Sequence, residues 1–185
     1  CSGKHAGMLA TCVINGWSIE DYRSPTHPLQ QAVRWQVEAL AGESVTHVGV
    51  DGCGAPVLAL TLAGLARSLS RSVQEEADAP ARRVTAAMAA YPDFVGGTRR
   101  DVTAFMRAVP GLVAKDGAEG VYVAALPDGT GIALKVEDGT DRARQVALAA
   151  ILERRGVDPA AIADLREIPV LGGGQPVGRV RSPLA

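Results

Sequence analysis

The chain has 185 residues, 47% hydrophobic and 21% charged, which is material for one sizeable core in a single domain spanning 1–185. A net charge of -1 provides no field to gather nucleic acid or an anionic membrane, and no apolar run approaches the roughly 18 to 20 residues that cross a bilayer. Three cysteines cannot pair completely, which favours a reducing, cytoplasmic setting with functional or buried thiols over a disulfide framework.

At the start of the chain, Ser2 is placed to cap a helix from about Lys4 to Ile14, with Met8, Leu9, Cys12 and Val13 as its apolar stripe and Gly16 and Ser18 as its end. Cys12 therefore reads as a core residue. Cys1 and Lys4 share one face of the first turn, where aligned amides and a nearby cation both favour thiolate over thiol. The residues leave three roles open for Cys1: an N-terminal nucleophile with the α-amine as base, a zinc ligand beside a second thiol, or an inert small thiol next to a cap.

Thr26-His27-Pro28 starts a second helix carrying Leu29, Val33, Val37 and Leu40 at helical spacing, with Gly42 as its stop and His27 in a solvated cap. Val45 to Val50 reads as a short strand that includes His47. It runs into Asp51-Gly52-Cys53-Gly54-Ala55-Pro56, a loop with two glycines for tight geometry and a proline suited to the first turn of a following helix. Ala55 to Leu69 is expected to be that core helix. Asp51 and Cys53 are spaced to face one pocket.

Arg67 to Ala81 is polar and acidic and reads as a solvated helix end and loop; helices follow near Ala81 to Ala90 and from Asp101 to Ala108, separated by a Tyr91–Gly97 loop. From Leu112 the pattern turns to β. Val121 to Ala125 and Ile132 to Val136 form an antiparallel hairpin around Pro127-Asp128-Gly129-Thr130-Gly131, with Lys135 on its second strand and Lys115-Asp116-Gly117 just before the hairpin or on a preceding strand. Asp141 to Gly156 is an amphipathic helix that turns Val146, Ala149, Ala150 and Leu152 inward. The tail, Ile168 to Val180, places Gly172-Gly173-Gly174 between short strands. That triple glycine opens no helix and is not a dinucleotide fingerprint. The order of elements predicts an α+β fold with helices packed on an antiparallel sheet.

Nineteen residues are Lys or Arg, yet the lysines are only Lys4, Lys115 and Lys135. An arginine-rich chain that keeps three lysines points to positions where a compact amine of adjustable pKa is needed.

Four blocks, Cys1-Ser2-Gly3-Lys4-His5-Ala6-Gly7-Met8-Leu9, Asp51-Gly52-Cys53-Gly54-Ala55-Pro56, Lys115-Asp116-Gly117-Ala118-Glu119-Gly120 and Gly131-Ile132-Ala133-Leu134-Lys135-Val136-Glu137-Asp138-Gly139, resemble in order the signature blocks of the bacterial asparaginase II family of the rhizobial type. The resemblance implies hydrolysis of L-asparagine to aspartate and ammonia, a fold similar to serine β-lactamases and glutaminases, and a homodimer. It implies zinc held by Cys1, Lys4 and Cys53, with His5 and Asp51 orienting the substrate's ammonium or a metal-bound water. It also implies that Lys115 supports proton transfer, with Lys135 in a lesser role.

The departure is the nucleophile. The family uses a serine in a Ser-x-x-Lys pair upstream of the first block, and none of the eight serines here precedes a lysine by three residues. The expectation is therefore a catalytic serine on an upstream segment of the same protein. Asp116 stands where the related β-lactamase block has a hydroxyl residue. Two alternatives differ in class: an autonomous enzyme with Cys1 as nucleophile, and a non-catalytic zinc-containing binding module of the same fold.

Overall fold

The computed structural model describes residues 1–184 and has an α+β architecture, with helices and small antiparallel sheets. The chain divides into two compact units, Cys1–Ser68 and Leu69 onward. The expected single sheet is resolved into three separate antiparallel sheets among the described residues, two of two strands and one of three.

The first unit holds α1 (Ser2–Asn15), α2 (Pro28–Ala41), β1 (His47–Val50), β2 (Pro56–Ala59) and the beginning of α3 (Leu62–Gln74). Helix α1 begins one residue earlier than a Ser2 cap requires. Cys1 occupies the capping position and makes no side-chain cap bond, so Ser2 lies inside the first turn. Gly16 ends α1 at φ 66°, returning its amide to the Cys12 and Val13 carbonyls, a conformation that glycine adopts without a Cβ penalty. Cys12 is fully buried as expected, whereas Val13 is 69% exposed; adjacent helical positions diverge by about 100°, and only one faces inward.

His27 does cap α2, accepting from the Leu29 amide through Nδ1 at 3.1 Å, but it is buried rather than solvated. Its Nε2 meets the Ser18 carbonyl at 3.1 Å, so the neutral ring with its proton on Nε2 satisfies both contacts.

The segment after Asp51 departs from the helix expected from Ala55. Strands β1 and β2 pair antiparallel from His47 with Ala59 to Val50 with Pro56, and the cysteine loop closes a hairpin. Pro56 tolerates the strand because it stands at its first position. The helix waits for Thr61, whose Oγ1 accepts from the Gly64 amide at 2.9 Å, an N-cap that Ala55 and Pro56 do not supply. Helix α3 then extends to Gln74, through residues expected to form a loop.

The second unit continues with α4 (Pro80–Ala90), α5 (Pro92–Gly96), α6 (Asp101–Ala108), β3 (Val113–Asp116), β4 (Val121–Ala125), β5 (Gly131–Lys135), α7 (Arg144–Arg154), a 3-10 turn (Ala163–Leu165), β6 (Glu167–Gly172) and β7 (Gln175–Arg181). The predicted hairpin is β4–β5, pairing Val121 with Lys135, and β3 adds an edge strand that pairs Asp116 with Tyr122. Lys115 thus lies on a strand. The core gathers Val102, Phe105 and Met106 of α6, Tyr122 and Ala124 of β4, Ile132 of β5, and Leu148, Ala149 and Leu152 of α7. All four inward residues expected of the long helix are buried, although it starts at Arg144 rather than Asp141. Asp138 takes the Thr140 amide at 2.9 Å and holds the chain in a turn before it. Gly173 and Gly174, both at positive φ, form the two-residue turn of the β6–β7 hairpin, as their sequence predicts.

Candidate metal centre and catalytic amine

The β1–β2 loop is shaped around Asp51. Its amide bonds the Ala55 carbonyl at 2.8 Å, its carbonyl accepts the Gly54 amide at 2.8 Å, and its Oδ1 accepts the Gly52 amide at 2.8 Å. Gly54 sits at φ +80°, a left-handed conformation that favours glycine, while the Arg23 guanidinium that a Cβ would meet is the end of a flexible side chain and can move aside. With Oδ1 held by backbone, Oδ2 is left to face the start of α1. It accepts from Lys4 Nζ at 3.0 Å and from Cys53 Sγ at 3.2 Å.

Cys1, Asp51 and Cys53 bring their ligand atoms within 4.8 Å of one another, and Lys4 joins them through Asp51. The Lys4 and Asp51 side chains are 42% and 41% exposed, so the cluster opens to solvent. The hydrogen bond from Lys4, followed by those from Cys53 and the Gly52 amide, pulls the Asp51 carboxyl down to about 2. Reciprocally, Asp51 raises the Lys4 amine against a smaller effect of burial, and Cys53 adds to the rise.

Two thiols and a carboxylate are donors of the kind zinc takes, and tetrahedral bonds of about 2.0–2.3 Å need the Cys1, Asp51 and Cys53 atoms only modestly closer than they stand, with the Lys4 amine a less usual ligand beside them. The residues fit that metal. As a ligand, Lys4 must release its proton, and a dication beside it favours the release.

His5, one position beyond Lys4, turns to another partner. Its Nδ1 lies 2.7 Å from the Tyr22 hydroxyl, with the rings edge to face at 5.7 Å. Tyr22 had no sequence signal, because it lies in a polar connection without periodicity and meets His5 only through the fold.

In the second unit, Lys115 reaches from edge strand β3 with its side chain 49% exposed. Its Nζ donates to Asp116 Oδ1 at 2.7 Å and to the Asp116 carbonyl at 2.6 Å. Burial pushes the Asp116 carboxyl up, but hydrogen bonds from Lys115 and Arg100 outweigh it and hold the group below its ordinary value. Lys135, at the end of β5, instead donates to the Val136 carbonyl at 2.7 Å and to the Glu119 carbonyl. Its amine tethers the β3–β4 turn, where Glu119 takes a φ of 60°.

Of the residues singled out in the sequence, Cys1, Lys4, Asp51 and Cys53 therefore meet in one cluster, His5 stands beside it on the same helical turn, and Lys115 and Lys135 have separate surroundings in the second unit. No helix among the described residues is long and apolar enough to cross a membrane. A family model described as L-asparaginase II matches residues 1–182. No curated protein matches the chain.

Proposed function

The chain belongs to the L-asparaginase II family, and from that premise we propose that it serves an amidohydrolase converting L-asparagine and water to L-aspartate and ammonia. The observation that carries the reading is the convergence of Cys1, Lys4, Asp51 and Cys53, drawn from two distant segments of the sequence. In this reading Cys1, Lys4 and Cys53 hold zinc, and Asp51 and His5 orient the substrate. Bound there, zinc supplies a fixed positive charge that orders the pocket.

Asp51 stays anionic throughout the neutral range, which suits it to receive the ammonium of an amino-acid substrate. Lys115 is assigned to proton transfer: entering the step as the neutral amine, it takes the proton of an attacking serine and returns it to the departing nitrogen as the amide C–N bond breaks. Water then cleaves the acyl intermediate. No serine of this chain precedes a lysine by three residues, so the reading places the nucleophile on sequence outside these 185 residues. The serine β-lactamase-like fold, the homodimer and the cytoplasmic setting belong to the same reading.

The test is ammonia release from L-asparagine by the whole encoded protein, with metal content measured in parallel. Lys115→Met is expected to lose about 100-fold or more in kcat and to keep its zinc. Cys53→Ser is expected to lose the metal. Undiminished turnover in Lys115→Met would overturn the assignment of the amine.

A further inference from the structure

Adjacent residues of a strand point to opposite faces, and β3 shows this at Lys115 and Asp116: the lysine is half exposed, while the Asp116 side chain is 7% exposed. The carboxylate nevertheless serves both faces. Oδ2 is taken by Arg100 and by Arg144, the latter at 3.3 Å from Nη2, which leaves Oδ1 free to receive Lys115 Nζ at 2.7 Å.

Arg144 is the fixed point of this arrangement. It stands at the first position of α7 with its side chain 4% exposed, and Nη2 also reaches Asp101 Oδ1 at 3.3 Å. Its Nη1 meets Asp141 Oδ1 at 2.8 Å, and its Cζ lies 5.5 Å from the centroid of the Tyr122 ring, the cross-strand partner of Asp116. A planar guanidinium held at both ends and over an aromatic face has little freedom to rotate. The arrangement is not an efficient source of stability. Buried ion networks roughly break even against apolar packing, and Arg144 Nε, Asp101 Oδ2 and the Tyr122 hydroxyl are buried without a hydrogen-bond partner among the described residues. Its geometric product is a carboxylate with one oxygen held by the buried Arg144 and the half-exposed Arg100, and the other presented to the Lys115 amine.

We propose that Arg144 and Asp116 form a positioning relay that fixes the Lys115 amine, Arg144 setting the orientation of the Asp116 carboxylate and Asp116 holding Lys115 Nζ. The relay deepens the proton-transfer role proposed for Lys115 and rests on that reading. It gives a function to Asp116, which stands where the related β-lactamase block has a hydroxyl residue. A misplacement of about 1 Å at a reacting group can cost about 100-fold in rate, so the relay acts on kcat rather than on substrate binding.

The experiment follows the Lys115 side chain by NMR in lysine-labelled whole protein, with the Lys115 signal assigned by its loss in Lys115→Arg and with Lys4 and Lys135 as internal references. Asp116→Asn and Arg144→Lys are expected to release Lys115 to the mobility of a free surface lysine while the two references stay unchanged. In the same variants kcat for asparagine is expected to fall about tenfold or more, with KM moving by less than about threefold. Arg144→Lys keeps the buried charge and guards against simple unfolding, which would mobilise all three lysines together. A Lys115 side chain that stays ordered in Asp116→Asn overturns the relay. If the order is lost as expected but Lys115→Met turns over asparagine like the parent, the relay stands and the catalytic assignment of Lys115 fails.

Discussion

Asp51 illustrates how one side chain can be specified by its neighbours on both sides. Backbone amides fix one oxygen, and Lys4 and Cys53 claim the other. Replacing Cys53 by Ser is expected to weaken zinc binding by about 100-fold or more, measured by competition with a chromogenic chelator; unchanged affinity would remove Cys53 from the ligand set. Gly54→Ala tests the loop rather than a ligand. Its left-handed backbone predicts a loss of about 1–3 kcal/mol in unfolding free energy together with weaker zinc binding. Cys1, Lys4 and Cys53 were brought together in the sequence by the resemblance of their blocks to those of the family, with Asp51 beside Cys53 in the same glycine-marked loop; the residues alone left the role of Cys1 open. Tyr22, Arg100 and Arg144 were not legible there, because each acquires its partner across a long stretch of chain and one arginine among many carries no mark of burial.

Local chemistry also decided which elements could be read. The hairpin β4–β5 and its Pro127–Gly131 turn were legible from alternation and turn residues, as was the inward face of α7. The helix expected from Ala55 to Leu69 forms only from Leu62, because the short apolar start of that run fits strand and helix equally and the Thr61 cap decides where the helix begins. Two substitutions probe the elements directly. Leu148→Ala on α7 empties part of a fully buried site and is expected to cost about 2–5 kcal/mol in chemical denaturation. Gly120→Ala, at φ +67° with the Thr140 carbonyl 2.9 Å from the added Cβ, strains the β3–β4 turn by backbone rather than by packing. A Gly120→Ala protein as stable as the parent would contradict the close approach that defines this turn.

Several carboxylates spread over the chain are held ready for neutral pH by backbone amides. The Val45 amide holds Glu38 below its ordinary value, the Thr61 amide does so for Glu43, and the Thr130 and Thr140 amides do so for Asp128 and Asp138. Because these groups bind protons less readily folded than unfolded, their contribution is complete above the unfolded pKa values and is lost as pH falls through the depressed folded ones. Thermal melts should therefore show Tm level above about pH 5 and falling on further acidification; a Tm that rose instead would reverse the sign of the linkage. The first unit carries the candidate metal cluster, and the second carries the amine proposed for proton transfer, with its buried anchor. The most direct measurement is ammonia release from L-asparagine by the whole zinc-loaded protein and by its Lys115→Met variant. The account predicts ammonia and aspartate in equal amounts from the parent, and a rate about 100-fold or more lower from the variant; no release by the parent, or equal rates from both, would contradict it.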